Sequence, residues 1–176
     1  PILQECTKLL RLIVLSTIML MLVVAGCGDN DTKVFAKKGR NLQIVYEEPV
    51  LVKELLFSSG GDTALIEVDD PSTRIAAVKF TIVNQQINIL KLRIDTDSVF
   101  IGNGEKAVRI PALSPTENAT TYGSTEGIKK FSPILWGEFE VEMGYQAAGW
   151  IFFEVPTGLE ITTVWWRAAD EIIGRF

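Results

Sequence analysis

Acidic side chains at regular spacing are the first candidates for chemistry in this sequence. Glu138, Glu140 and Glu142 alternate with apolar residues, which places all three on one face of a strand. Glu154 follows on a segment that we expect to be a neighbouring strand. Paired carboxylates act as acid and base when burial raises the pKa of one of them, as in glycosidases. Because these glutamates oppose the apolar face, the pattern favours an exposed acidic surface for a basic partner, or charges that prevent aggregation between sheets.

Oxygen ligands for a hard cation occur at Asp95 and Asp97, with Asn103 and Glu105 nearby. Ca²⁺ binds carboxylate and carbonyl oxygens, so this group is a weak candidate for a calcium site. The spacing differs from that of an EF-hand loop, in which ligands recur at every second position. Aspartates at strand ends also cap turns. We therefore predict no metal ion and no other cofactor.

The composition excludes several classes of catalytic site. The 176 residues include two cysteines and no histidine. Without histidine there is no imidazole base, no Ser-His-Asp triad and no histidine-ligated zinc or haem. Two cysteines are too few for a four-cysteine zinc or iron–sulfur site. The net charge of -5 argues against a nucleic-acid partner, so the chain is predicted to be neither an enzyme nor a nucleic-acid-binding protein.

Large aromatic residues in the C-terminal part provide candidate contact positions. Successive side chains of a strand point to opposite faces. If Phe153 faces the core, Trp150 and Phe152 face away from it, and Trp165 and Trp166 likewise oppose each other. Exposed aromatic clusters mark interfaces, so Trp150, Phe152 and Trp166 are the candidate interface residues. The alternative is that a second layer, such as a long loop or the C-terminal tail, covers them.

From residue 42 onward the sequence is a succession of short apolar segments rich in Val, Ile, Phe, Thr and Trp. Glycine-, proline- and asparagine-containing turns separate them, and no amphipathic helix is visible. This pattern predicts an all-β, antiparallel β-sandwich. The expected strands are 43–46, 50–57, 63–68, 74–84, 89–95, 98–101, 106–112, 136–143, 147–155 and 160–168.

Three of these segments carry more specific expectations. Segment 74–83 is mixed on one face and apolar on the other, which carries Ala76, Val78, Phe80 and Ile82, so we expect it to be central in its sheet. The Asn103-Gly104 step predicts a tight hairpin turn. Residues 113–135 are expected to form a long loop, which is the candidate cover for the aromatic side chains.

An apolar run near the N-terminus indicates an export signal. Residues 12–26 carry no charge, and Lys8 and Arg11 stand just before them. A short basic region followed by about 7–15 apolar residues is typical of a secretory signal peptide. A membrane-spanning helix needs about 20 apolar residues. Cleavage is therefore expected, and retention of the segment as a signal anchor is the alternative.

The end of that run, Val24, Ala25, Gly26 and Cys27, resembles a bacterial lipobox. In such sequences the chain is cut before the cysteine, whose thiol carries a diacylglycerol. Two or more lipid chains anchor a protein stably. The resemblance implies lipidation of Cys27, and the alternative is an ordinary hydrophobic helix that contains Ala-Gly-Cys. The predicted organisation is a signal peptide or anchor at 1–26, a tether at 27–41 and a β-sandwich domain at 42–176.

A second resemblance concerns the strand that ends at Pro156. It follows a long strand ending at Asn84 and a glycine turn at 102–104. This arrangement resembles the secreted, often lipid-anchored immunoglobulin-like β-sandwich domains of unknown function found in bacteria and some archaea. The positions that match the last strand of those domains are Gly149, Trp150, Ile151, Phe153, Glu154, Val155 and Pro156. The resemblance implies an immunoglobulin-like fold and an extracytoplasmic setting, and it implies no catalytic residues.

Together these observations predict an extracytoplasmic lipoprotein, anchored to the cell membrane through a lipid or through its N-terminal helix. Its role is expected to be non-catalytic, as an accessory or scaffold component of a membrane or cell-surface assembly with a protein partner. The alternative is a module that binds a soluble ligand or glycan on an aromatic platform. A concave pocket with aromatic and polar groups would favour the ligand, and a flat apolar patch would favour the protein partner.

Overall fold

The computed structural model describes residues 32–59, 62–120 and 127–176. These residues contain thirteen β-strands. The strands are β1 (Val34–Lys38), β2 (Leu42–Glu47), β3 (Val50–Val52), β4 (Glu54–Ser59), β5 (Asp62–Glu67), β6 (Thr73–Asn84), β7 (Ile89–Ile94), β8 (Val99–Asn103), β9 (Val108–Pro111), β10 (Gly137–Glu142), β11 (Gln146–Pro156), β12 (Thr163–Trp166) and β13 (Ile172–Arg175). All pairings between these strands are antiparallel, which confirms the predicted all-β antiparallel class.

The predicted N-terminal helix, segment 1–26 and the lipobox lie outside the described residues. Within the described ranges, no helix has the length and apolar content needed to cross a membrane.

Two layers of strands face each other across the main core. In one layer β1, β2, β6 and β11 follow one another, and β3 lies beside β6. The other layer consists of the sheet β13-β12-β8-β9 and the pair β10-β7. Alternate side chains of both layers, including Phe80, Phe153 and Trp166, are buried between them. Because each strand buries one face in this way, the layers form the predicted sandwich.

Strand β6 is central in its sheet, as the sequence predicted. β2 and β3 pair with one of its edges and β11 pairs with the other. Val78 and Phe80 point into the main core, whereas Ile75 and Ala77 point into a second apolar cluster on the opposite face. The strand is therefore buried on both faces near its start, which explains its almost continuous apolar sequence.

The second apolar cluster forms a partial third layer on the outside of this sheet. The hairpin β4–β5 supplies Phe57, and the described part of the predicted loop 113–135 supplies Phe131. The ring centroids of Phe57 and Phe131 lie 6.0 and 6.3 Å from that of Phe152. Hairpin and loop together exclude water from this face of the sheet.

The covering loop crosses β11 closely at Gly149. The Leu135 N–H donates to the Trp150 carbonyl, and the Trp150 N–H donates to the Pro133 carbonyl, both at 2.9 Å. A Cβ at position 149 would lie 2.9 Å from the Ile134 carbonyl carbon and from the Leu135 nitrogen. The two backbones lie so close together here that only glycine, which has no Cβ, fits between them. This gives a physical reason for the glycine that begins the Gly149–Pro156 motif.

The domain starts earlier than predicted and ends in an additional strand. Val34–Lys38 pairs with β2 and belongs to the compact unit Lys33–Phe176, so the predicted tether at 27–41 is wrong from residue 34 onward. The predicted domain start at residue 42 was too late, because β1 is mostly exposed, lysine-rich and without apolar alternation. Strand β13 was missed because it has only four residues, of which two are buried.

Candidate functional site

Two of the three predicted interface residues are buried. Phe152 has an exposed fraction of 0% in the second cluster, and Trp166 has one of 1% in the main core. Trp150 is half-buried, with its ring centroid 4.8 Å from that of Phe131. The expectation of a contact surface is therefore wrong for Phe152 and Trp166, because a second layer covers the first and the facing sheet covers the second.

The predicted acidic surface is exposed but is not uniformly acidic. β10 pairs with β7, so Glu138 stands opposite Arg93 and Glu140 opposite Lys91. The Lys91 Nζ to Glu140 Oε1 distance is 3.4 Å. Glu142 is exposed at the end of the same strand. The expected neighbour, Glu154, lies on β11 in the other layer and does not extend this row.

The candidate calcium ligands have local roles in turns. One carboxylate oxygen of Asp95 accepts hydrogen bonds from the Asp97 N–H at 3.1 Å and from the Ser98 hydroxyl at 2.6 Å. The Asn103 side chain accepts the N–H groups of the two residues after Gly104, at 3.1 and 3.0 Å. Among the described residues, no group of three or more His, Cys, Asp or Glu side chains is placed to hold a metal ion.

A groove on the outer face of the sheet β13-β12-β8-β9 is the strongest candidate site. One row of opposed residues runs across all four strands, in the order Arg175, Thr163, Gly102 and Arg109. The outer residues have long side chains, whereas the inner two have a short side chain or none. Three residues of the row, Arg175, Thr163 and Arg109, line a depression of about 360 Å³, with an arginine on either side of it.

The neighbouring row gives this groove an apolar side. Its residues, in the same strand order, are Ile173, Trp165, Phe100 and Pro111. Trp165 is 7% exposed although it points away from the core, and the Arg109 Cζ lies 4.8 Å from its ring centroid. The guanidinium thus covers the indole, and the surface presented to a ligand is the arginine.

The β8–β9 hairpin closes one end of the groove. The predicted hairpin is confirmed by the antiparallel pairing of β8 with β9, but its turn is longer than predicted. Asn103 pairs with Val108, and residues 104–107 separate the two strands. The Gly104 N–H donates to the Thr162 hydroxyl at 3.3 Å, which ties the turn to the segment before β12. Glu105 and Ala107 of the turn also line the groove. Ala107 has a φ of 55°, a left-handed conformation that is unfavourable for a residue with a Cβ.

At the other end, the groove continues into a second depression of about 280 Å³. The two depressions share Arg109, Trp165 and Ile173, and the second adds Arg167. The Arg167 Cζ lies 5.6 Å from the Phe100 ring centroid. Its nearest carboxylate is that of Glu171, at 4.0 Å, in a solvent-exposed pair of little strength. The face thus carries three arginines, two of them stacked on rings.

A buried tyrosine fixes strand β13, which carries the outer wall of the groove. The Tyr46 hydroxyl donates to the Arg175 carbonyl at 2.9 Å. Burial raises the pKa of the Tyr46 phenol, so it stays protonated at neutral pH and keeps this donor. A Cβ at Gly174 would lie 2.2 Å from the Tyr46 oxygen, so the close packing of strand and phenol requires glycine there.

Two comparisons with known proteins found no match, and a third found one similar structure. No protein-family model matches the chain. No curated protein matches it. The crystal structure of MPT63, a secreted protein from Mycobacterium tuberculosis, is similar, with a TM-score of 0.42 and 13% sequence identity over 82% of this chain and 92% of MPT63. The all-β class of the present chain rests on its own strand pairing.

Sequence reasoning missed the arginine residues of the groove. Alternation does show that Trp165 and Trp166 face opposite ways, and Trp165 is the one on the outer face. The signal that was needed is the register of two hairpins and of the long-range pairing between β12 and β8, which together bring Arg109 and Arg175 to one row. A single sequence does not contain that register.

Proposed function

We propose that this chain is an extracytoplasmic, membrane-anchored protein whose immunoglobulin-like domain binds a soluble ligand and catalyses no reaction. One observation carries the proposal: the outer sheet face has a concave groove lined by arginine and threonine side chains, with one of the arginines stacked on Trp165. Concave sites with a few convergent polar groups are typical of ligand binding. The groove therefore favours a ligand-binding module over a scaffold that docks a protein on a flat apolar patch.

The exposed apolar side chains of the described residues support the same preference. They are Val34, Leu51, Ile89, Met143, Tyr145 and Ile173. Ile89 and Met143 are neighbours across the β7–β10 pair, whereas Val34, Leu51 and Ile173 lie on three different strands. Single exposed apolar residues are normal on a protein surface, whereas contiguous patches mark protein interfaces.

The side chains of the groove support binding rather than catalysis. Arginine stays protonated in proteins and accepts no proton, so Arg109 and Arg175 can hold a ligand but cannot act as general bases. Threonine hydroxyls act as nucleophiles only beside an activating base. Glu105 is the one carboxylate of the larger depression, and paired carboxylates are what acid–base hydrolysis requires.

The sequence Val24-Ala25-Gly26-Cys27 supports the membrane anchor. We expect Cys27→Ser to abolish acylation and release the protein from the membrane fraction, because the thiol is the attachment point for the lipid. Intact-mass measurement of the protein from membranes should give an N-terminus at Cys27 with added acyl mass. Cys6→Ser is the matched control and should change neither mass nor location. An unmodified chain that still begins at Pro1 would contradict lipidation.

A negatively charged residue introduced into the groove tests whether a ligand binds there. Ile173 is 61% exposed and lines both depressions, so Ile173→Glu should fold normally and put a carboxylate between the arginines. Ile89→Glu, at a position 51% exposed on β7, is the matched control. We expect full-length protein purified from its own cells to carry a bound non-protein ligand, detected by mass spectrometry. Ile173→Glu should lose it and Ile89→Glu should retain it.

Two results of that experiment would contradict the proposed function. One is retention of the same ligand by both variants. The other is a stoichiometric protein partner that co-purifies equally with both variants, which would restore the scaffold hypothesis.

A further inference from the structure

The arginine side chains of the groove are held in place by aromatic rings. The Arg109 Cζ lies 4.8 Å from the Trp165 centroid, and the Arg167 Cζ lies 5.6 Å from the Phe100 centroid. A cation above a ring face is attracted by the quadrupole of the ring. Both rings belong to paired strands, so the guanidinium groups rest on a rigid support. Less side-chain entropy is then lost when a ligand binds.

These guanidinium groups have donors to offer to an oxyanion. Within the described part of the chain, neither Arg109 nor Arg175 has a carboxylate within 4.0 Å. Arg167 has only the exposed Glu171, at the 4.0 Å limit. The planar guanidinium presents pairs of N–H groups that match the oxygens of carboxylate, sulfate and phosphate. Stacking on a ring leaves those in-plane donors unoccupied.

The charge of this face has the opposite sign to that of the whole protein. Its three arginines are accompanied by two glutamates, Glu105 at the hairpin and Glu171 beside Arg167. The complete chain has 17 basic and 22 acidic residues. A positive groove on an acidic protein attracts anions locally, while the remaining surface repels them.

The groove is elongated, which favours a ligand with several charges. The distance between the backbones of Arg175 and Arg109 is three strand spacings, or about 14 Å at ~4.8 Å per spacing. Arg167 lies further along β12 in the second depression. A small ion contacts one guanidinium group, whereas a chain with anionic groups at intervals can contact all three arginines.

The position of the groove argues against a peptide ligand. An extended peptide satisfies its backbone groups by pairing with a free strand edge. The groove lies over β12 and β8, and each of these strands is already paired on both edges. A polysaccharide has no amide backbone to satisfy and therefore does not need a free strand edge.

The burial of Trp165 argues against single-stranded nucleic acid, which binds by stacking its bases on exposed rings. Trp165 is 7% exposed, with Arg109 over its ring. We infer that the groove is a receptor for an acidic polysaccharide, whose carboxylate or sulfate groups bind Arg109, Arg175 and Arg167. This inference rests on the proposed ligand-binding function and specifies its ligand class.

The test measures binding of full-length protein in non-ionic detergent to size-defined saccharides by calorimetry. Oligogalacturonate supplies carboxylates, a heparin oligosaccharide supplies sulfates as well, and dextran is the neutral control. We expect the acidic saccharides to bind and dextran not to bind. Arg109→Gln and Arg175→Gln should each weaken binding about 10-fold or more, the effect of losing one charge-assisted hydrogen bond. Glu105→Gln should strengthen it about 2- to 5-fold.

Lys130→Gln is the control, because Lys130 is exposed in the loop that covers the other sheet, and its substitution removes one positive charge that does not line the groove. Equal losses in Lys130→Gln and Arg109→Gln would overturn the inference, since attraction would then be nonspecific. Tighter binding of polyglutamate, oligothymidylate or phosphatidylglycerol vesicles than of either saccharide would also overturn it. If no saccharide binds but Ile173→Glu still loses its endogenous ligand, the polysaccharide inference fails and the proposed function stands.

Discussion

Replacing Phe152 with alanine is expected to lower the free energy of unfolding by about 3–5 kcal/mol. The ring is fully buried and packs between Phe57 of the hairpin and Phe131 of the covering loop. Its removal leaves a cavity that the paired backbone of β11 cannot close, because eleven consecutive residues of β11 are paired with β6. Urea denaturation of the full-length protein measures the change.

Tyr145→Ala is the control for this prediction, since Tyr145 is an aromatic residue with an exposed fraction of 67%. It should change the free energy of unfolding by less than about 0.5 kcal/mol. Phe152→Ala should also increase tryptic cleavage at Lys129 and Lys130, because the covering loop loses one of its aromatic contacts with the sheet. A loss below about 1 kcal/mol would show that the second cluster contributes little to stability.

Gly102→Ala is expected to destabilise the protein by about 3 kcal/mol and to abolish ligand binding in the groove. A Cβ at this position would lie 2.2 Å from the Val108 carbonyl oxygen, which belongs to the backbone of β9. The φ of 154° also favours glycine. Because backbone cannot rotate away as a side chain can, β9 must shift and take Arg109 with it. Denaturation and calorimetry on one sample measure both effects.

Gly158→Ala separates the two causes of this effect. Gly158 has a φ of 83°, but nothing lies within 4 Å of an added Cβ. Its substitution introduces backbone strain alone and should cost about 1 kcal/mol without affecting binding. Equal costs for the two glycine substitutions would contradict a steric role of the Val108 carbonyl.

Local alternation predicted most of the strands but not their neighbours. Ala76, Val78 and Phe80 were assigned to one face of a central strand, and the structure buries all three in the main core. Glu138 and Glu140 were assigned to an exposed face, yet their partners are Arg93 and Lys91 on a strand more than forty residues earlier. Side-chain direction follows from the two-residue period, whereas sheet partners depend on the whole chain.

The same distinction explains the failure at the aromatic residues. The period shows that Phe152 points away from the main core, and this direction is correct. It does not show that the hairpin and loop 113–135 lie over that face. Contact with Phe131 arises from a loop that has no strand pattern of its own, and only the folded structure reveals it. Periodicity therefore shows which way a side chain points, but it does not show whether another layer covers that side chain.

The long-range strand pairings have a consequence for how fast the chain folds. Gly102 pairs with Thr163, Trp150 pairs with Lys79, and Tyr46 bonds to the carbonyl of Arg175 across 129 positions. Topologies dominated by such distant contacts fold in milliseconds to seconds rather than microseconds. Before these contacts form, the chain is extended and can be threaded through a narrow channel. Slow closure would thus suit the export across a membrane that we propose for this chain.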